Sequence, residues 1–419
     1  MKNYILILLL SHISFYGQKN ETENIFGKTF IFQSEILEEK TEIQIYLPEN
    51  YNISTQKYPV LYVLDGQRYF LNGITYQKNL AHKNSSPSFI VVGIKTNTLG
   101  KRRRELLYKE SKKFIRFIEK EIVPHVDNNY RTLNERVYFG WEMAASLGLE
   151  IFAKQPSLFN AFILSSPTYI TKNRTDGVLE LLKTKKQLNH TIYFSLGSVE
   201  SWSFEGINTL AKIFEQHTVK GLKWKYKLLG NDNHYSTPLI TINQGLKTIF
   251  QDFEPIRFYS LQEFEDFGGI IPLQQHYQKR GERYDLQTDI HNDTKHYLLL
   301  QSLKEDNYNL FTFFVKEFDA KVFWKNYHKN HFLFHRYAQY YLKHNNIDEA
   351  KEIYSIGLEK FPESSLLHKG KADIYKVIGN RYQAKKHYQK AIKIAKQESN
   401  PELLTYKKSL EELEQNIKK

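Results

Sequence analysis

Three residues in this chain could do acyl-transfer chemistry together, and they occur in the order nucleophile position, acid, histidine: Glu142, Glu200 and His234. Such chemistry needs a nucleophile, a His that takes and returns its proton, an acid that orients the His, and backbone N–H groups aimed at the developing oxyanion. Arg136-Val137-Tyr138-Phe139-Gly140-Trp141-Glu142-Met143-Ala144-Ala145 runs from β-branched and aromatic residues into a Gly and then into small residues that open a helix. That is the shape of a nucleophile elbow, which exposes a short hydroxyl on a sharp strand-to-helix turn. Here Glu142 stands where the Ser is expected. Glu200 follows the strand-like stretch 191–196, and His234 lies in a loop between the last such stretch and a helix. Asp232, two residues before His234, competes with Glu200 as its orienter.

Glu142 has three readings. It is a non-catalytic replacement, a Glu-based nucleophile or general base, or a bystander in a hydrolase whose nucleophile has shifted to Ser146, Ser165 or Ser166. An Asp at an elbow forms ester intermediates, but Glu is one methylene longer and overreaches that geometry. Its carboxylate is expected beside His234, where it would favour the imidazolium and remove the neutral base. The elbow conformation costs a non-Gly residue roughly 1–3 kcal/mol. Without a Ser to display, the turn is expected to relax.

These residues need a sheet to position them. Short apolar stretches at 30–33, 42–47, 60–64, 89–94, 137–139, 161–165, 191–196 and 223–229 alternate with helical patterns such as 111–126 and 144–154. That alternation predicts an α/β fold with a largely parallel sheet, edged by an antiparallel hairpin of the first two strands. Ligands of such sheets bind at the carboxyl ends of the strands. After residue 250 the strand signals stop and the chain reads as helical. Ala338, Tyr341, Ala350, Tyr354 and Gly357 recur 34 residues later as Ala372, Tyr375, Ala384, Tyr388 and Ala391. This period and these residue types resemble the tetratricopeptide repeat, in which small residues let paired helices approach and aromatics fill the gaps. The expected division is therefore 25–252 for the α/β domain, 253–333 for a helical linker or degenerate repeats, and 334–419 for the repeats.

The first domain resembles the putative-esterase family of α/β-hydrolases, which includes esterase D-like enzymes and enterochelin esterases. The resemblance rests on Val60-Leu61-Tyr62-Val63-Leu64-Asp65-Gly66, on Ile90-Val91-Val92-Gly93-Ile94 with Arg102 and Arg104 beyond it, on the elbow, on Phe162-Ile163-Leu164-Ser165-Ser166-Pro167, and on the Gly230 to His234 loop. It implies an α/β-hydrolase fold and hydrolysis of carboxylic esters or thioesters. Gly66, Gln67 and Met143 would then be backbone oxyanion donors, with Trp141 beside them in the pocket. The departures fall at the site: Glu142 for Ser, Ala144-Ala145 for a Gly pair, and Arg102-Arg103-Arg104-Glu105-Leu106-Leu107 for an Arg-x-Arg-Asp-Leu-Thr-Pro pattern. As a charge run, Lys101 to Arg104 reads as a solvated loop rather than an anion site.

The 419 residues exceed one ordinary domain, and an apolar content of 41% supports real cores. Met1-Lys2-Asn3, an apolar run to Leu10 and small polar residues ending near Gln18 read as a signal peptide over 1–18, too short to span a bilayer. A secreted or periplasmic protein is expected, with no transmembrane segment once that peptide is removed. It would fold without disulfides, since there is no Cys. The net charge of +13 includes nine Lys or Arg against Asp373 alone between residues 366 and 397, a solvated helical face open to acidic partners. His328, His331 and His335 have near-helical spacing, yet read as packing or surface histidines rather than metal ligands. No cofactor and no nucleic acid is expected. The partners expected are a small ester or acyl ligand and a protein bound through the helical repeats. The favoured reading is an impaired hydrolase that binds one or both; the alternative is an active ester hydrolase using Glu142 or a shifted Ser with His234 and Glu200.

Overall fold

A computed structural model of the protein describes residues 25–96, 100–327 and 329–415, the side chains at 100 and 101 excepted. The expected leader at 1–18 and His328 lie outside the described residues. The chain divides into two compact units, Met1–Phe250 and Gln251–Lys419. The second takes in both the stretch read as linker or degenerate repeats and the repeats themselves.

The first unit is built on one sheet of eight strands, β1 (Lys28–Gln33), β2 (Lys40–Tyr46), β3 (Tyr58–Leu64), β4 (Ile90–Ile94), β5 (Thr132–Trp141), β6 (Ala161–Ser165), β7 (Thr191–Gly197) and β8 (Lys223–Leu229). Their order is β1-β2-β4-β3-β5-β6-β7-β8. β1 and β2 pair antiparallel and β2 lies antiparallel on β4, while every later pairing is parallel. β3, β4 and β6 are buried at every position, as continuous Val, Ile and Leu runs require when helices cover both faces. At the far edge β8 exposes Lys223, Lys225 and Lys227 on one face, charges that discourage pairing with another chain. All eight expected strands form. β5 begins five residues earlier than its apolar core because Thr132 already pairs with Tyr58. The helix expected over 111–126 is Ser111–Phe117, a π-helical turn Ile118–Ile122, and Val123–Asn129.

The second unit is helical throughout its described residues. Pairs such as His331–Lys343 with Ile347–Lys360, and Ser365–Val377 with Arg381–Gln397, pack around the repeated residues. Ala338, Ala350, Ala372, Ala384 and Ala391 are fully buried, as are the rings of Tyr354 and Tyr388. The repeat extends to hydrogen bonds: Tyr354 Oη accepts from Gln339 Nε2 at 2.9 Å, and 34 residues on, Tyr388 Oη donates to Asp373 Oδ1 at 2.6 Å. Gly370 is the contact on which this packing is tightest, because a Cβ there would fall 2.2 Å from Tyr354 Cζ. A buried ring cannot move aside, so Gly370→Ala should destabilise this unit by about 1–3 kcal/mol in chemical denaturation monitored by helical circular dichroism.

Within the second repeat, His368 Nδ1 and His387 Nδ1 lie 2.9 Å apart, and His368 Nε2 is 3.0 Å from the Pro362 carbonyl. Burial first, then His368, Lys371 and Lys386, lower the His387 pKa from 6.5 to about 4. The fold therefore favours the neutral ring, and unfolding takes up a proton between these values. This contribution to stability should be complete above pH 6.5 and drain as the pH falls through about 4. Melting temperatures measured from pH 7 to pH 4 should fall less steeply for His387→Asn. The basic run is less bare than its sequence implies: Lys369, Lys376, Lys385 and Lys390 are paired with Asp373, Glu412, Glu414 and Glu363. The three glutamates lie outside the run. No helix of the described residues is long and apolar enough to cross a membrane.

Candidate active site

Glu142 joins β5 to the helix Met143–Lys154 at φ 57° and ψ −119°. The expected relaxation of the turn has not occurred, and the packing around it explains why. Its N–H donates to the Ser165 carbonyl at 3.0 Å, and its own carbonyl accepts from Ser146 N at 3.2 Å. Helix and strand approach so closely that a Cβ on Gly140 would lie 2.5 Å from the Ala144 backbone. The strain is thus locked in by the strand-to-helix junction, whichever side chain the turn displays.

That side chain does not turn to His234 as expected. The Glu142 carboxylate is bound by Arg103 Nη1 at 2.5 Å. Arg103 in turn donates from Nε and Nη2 to the two oxygens of Asp65, at 2.8 and 2.7 Å. Asp65 is fully buried in left-handed backbone at the end of β3, and Thr96 Oγ1 supports it from the β4 side. Burial opposes the charge on Arg103, but the bonds and charge of Asp65, then those of Glu142, outweigh it and raise the pKa above the ordinary arginine value. The reach of Glu, one methylene beyond Asp, is what lets it span to this guanidinium. The solvated loop expected for 101–104 is instead a short helix, Gly100–Arg104, in which Arg103 is buried. Arg102 binds Glu39 and Glu110, and Arg104 stacks on Tyr169 at 5.8 Å.

His234 has a separate acidic partner. Its Nδ1 lies 2.6 Å from Glu200 Oε2, while Glu200 Oε1 accepts from Ser166 Oγ at 2.7 Å and from the Gly197 N–H at 2.9 Å. Burial would raise the Glu200 pKa, and the bonds from His234, Ser166 and Gly197 more than offset this, holding it below the usual carboxylate range. Asp232 instead accepts from Ser236 Oγ. Trp141 holds the other side of the histidine: its ring centroid lies 4.8 Å from the imidazole and its Nε1–H donates to the His234 carbonyl at 2.8 Å.

The Ser candidates are all engaged elsewhere. Ser146 donates to the Thr168 carbonyl, Ser165 lies between Thr237 and Thr241, and Ser166 faces Glu200 and Thr237. All three are buried. Gly66, Gln67 and Met143 occupy helix starts, where the intrahelical ladder offers no acceptor and N–H groups point outward. The Gln67 side chain is turned to Thr96 and Asp65. Beside His234, Trp202 presents an exposed ring at 6.1 Å, and a cavity of about 500 Å³ opens between Trp202 and Tyr169. His331 and His335, read above as packing histidines, bond to Ser364 and Tyr354.

Sequence reading missed the roles of Asp65, Arg103 and Trp202. Arg103 looked like one charge in a run, and nothing in a linear sequence pairs it with residues 38 and 39 positions away. A buried-strand end closing on Asp65 was the one available hint that a cation had to come from somewhere.

A sheet of this order, with an elbow after β5 and a His–acid pair after β7 and β8, defines an α/β-hydrolase. Residues 34–238 match the model of the family described as "Putative esterase". Among solved structures, the chain is similar to an IroE-like serine hydrolase from Shewanella oneidensis at 20% identity and TM-score 0.53, over 69% of this chain and 97% of that one. It is also similar to an uncharacterised protein from Capnocytophaga ochracea at 16% identity and TM-score 0.56, over 92% of this chain and 99% of that one. The second match takes in both units. At these identities the likeness is one of fold. A search of curated proteins gave no match.

Proposed function

We infer that this is an exported esterase-family protein whose first unit binds a small ester or acyl ligand without turning it over. The observation that carries this reading is the Asp65–Arg103–Glu142 chain of ion pairs. A carboxylate that attacks carbon must be free to turn to the substrate, and here Arg103 holds Glu142 through Oε2 and lowers its nucleophilicity. Arg103 also ties the carboxylate to β3, whereas His234 is tied to Glu200, so the two halves of a triad have different partners. The leader pattern at 1–18 supports export. The 34-residue repeat, with its buried small residues and rings, supports a tetratricopeptide-like second unit that binds a protein partner.

A second reading, hydrolysis through Glu142 or a shifted Ser, is favoured by one observation: the His234–Glu200 pair keeps a working geometry at 2.6 Å. The two readings separate on the purified protein with p-nitrophenyl acetate and butyrate. The first expects the same rate from the wild type and from His234→Ala. Turnover that disappears with His234→Ala would establish the second.

A further inference from the structure

The 500 Å³ cavity lined by Trp202, whose ring lies 6.1 Å from that of His234, has a chemical character of its own. It lies between the segment after β6, residues 167–175, and the start of the helix Phe204–Gln216, where Gly206 allows the helix to close on Ile170. Its volume is that of a small-molecule site. Two aromatic rings line it. Trp202 is 66% exposed and Tyr169 is 43% exposed, so each leaves ring surface uncovered. Tyr169 is held at φ 54°, a costly conformation for a residue of its size, on the segment that forms one wall.

The charges lining the cavity are Lys172 and Glu205. Lys172 is bound by Asp176 at 2.7 Å, so its charge is already matched. Glu205 has no ion pair among the described residues, and its carboxylate is the one unmatched charge lining the cavity. Uncovered rings attract a cation through their negative faces, and an unpaired carboxylate adds an attraction of the same sign. The Arg104 guanidinium already lies 5.8 Å from the Tyr169 ring, so the uncovered ring of Trp202 is the platform left for a ligand cation. A ligand with an anionic head would meet Glu205 unfavourably and gain little from Lys172.

We propose that this cavity binds an organic cation, a substituted ammonium group seated against Trp202 and charge-paired with Glu205, with Tyr169 forming the opposite wall. The proposal deepens the ligand-binding reading by naming the class of group that the site takes. Tetramethylammonium is a suitable probe because it cannot be hydrolysed, so the outcome is independent of any residual catalysis. Titration calorimetry with the full chain should show saturable binding of tetramethylammonium and of choline, and 3,3-dimethylbutan-1-ol, the neutral carbon isostere of choline, should bind about tenfold more weakly than choline. Glu205→Gln, an exposed and conservative change, should erase that preference for charge. Trp202→Ala should weaken tetramethylammonium by about tenfold or more with the melting temperature retained. Equal binding of choline and its isostere would overturn the assignment of class, while leaving a ligand site in place. Absence of tetramethylammonium binding, or binding unchanged in both variants, would overturn the proposal altogether. His234-dependent ester turnover would end the non-hydrolytic reading and leave this result standing.

Discussion

Arg103→Met should lower the stability of the first unit by about 3–5 kcal/mol, measured as the urea midpoint of its unfolding at neutral pH. The size of the effect follows from what is left behind. Asp65 is fully buried, and Arg103 supplies both of its charge-assisted bonds; without it, Thr96 and a long contact from Gln67 are the remaining side-chain donors. Removing one member of a buried pair strands the other, and that stranded charge is the main cost. Arg103→Lys should recover only part of the loss, since a point charge cannot fork across both oxygens of Asp65 and still reach Glu142. The double variant Arg103→Met, Asp65→Asn should be more stable than the sum of the single effects predicts, because the residues act as one network. A loss under 1 kcal/mol in Arg103→Met would mean that the guanidinium is not what holds this end of the sheet.

Glu142→Ser should convert the protein into an esterase. The elbow keeps its strained φ of 57°, His234 is oriented by Glu200, and Met143 begins a helix whose first N–H groups are available to an oxyanion. Each of these survives the substitution because none depends on the Glu142 side chain. Arg103 keeps its fork on Asp65, so the variant should fold with near-native stability. Loss of a serine nucleophile alone costs about 10⁶ in the rate of a complete triad. A serine restored into an unoptimised pocket should recover a fraction of that, on the order of 10²-fold over wild type toward p-nitrophenyl acetate. The gain should vanish in the double variant with His234→Ala.

The fold was legible in the sequence because its signals are local. Continuous runs such as Val60 to Leu64 can only be strands covered on both faces, and the repeat announces itself through Ala338 and Ala372 at equal spacing. Glu142, Glu200 and His234 were legible for a related reason, since each follows an element that fixes where it must stand. What escaped was pairing across elements. The direction taken by the Glu142 carboxylate depends on Arg103, and that residue is carried by a short helix no periodicity marked. The persistence of the strained turn escaped too, because it is set by the close approach of Gly140 to Ala144, a packing fact without a sequence signature beyond the glycine itself.

The proposed function makes a single central claim, that an esterase machinery stands around the elbow and that Glu142 with Arg103 silences it. Intact-protein mass spectrometry after fluorophosphonate treatment tests this most directly, because the reagent modifies a serine only when a histidine base and an oxyanion site serve it. The wild type should remain unlabelled, and Glu142→Ser should gain one adduct, located at the substituted position and lost with His234→Ala. An adduct on the wild type, or none on a folded Glu142→Ser, would contradict the account.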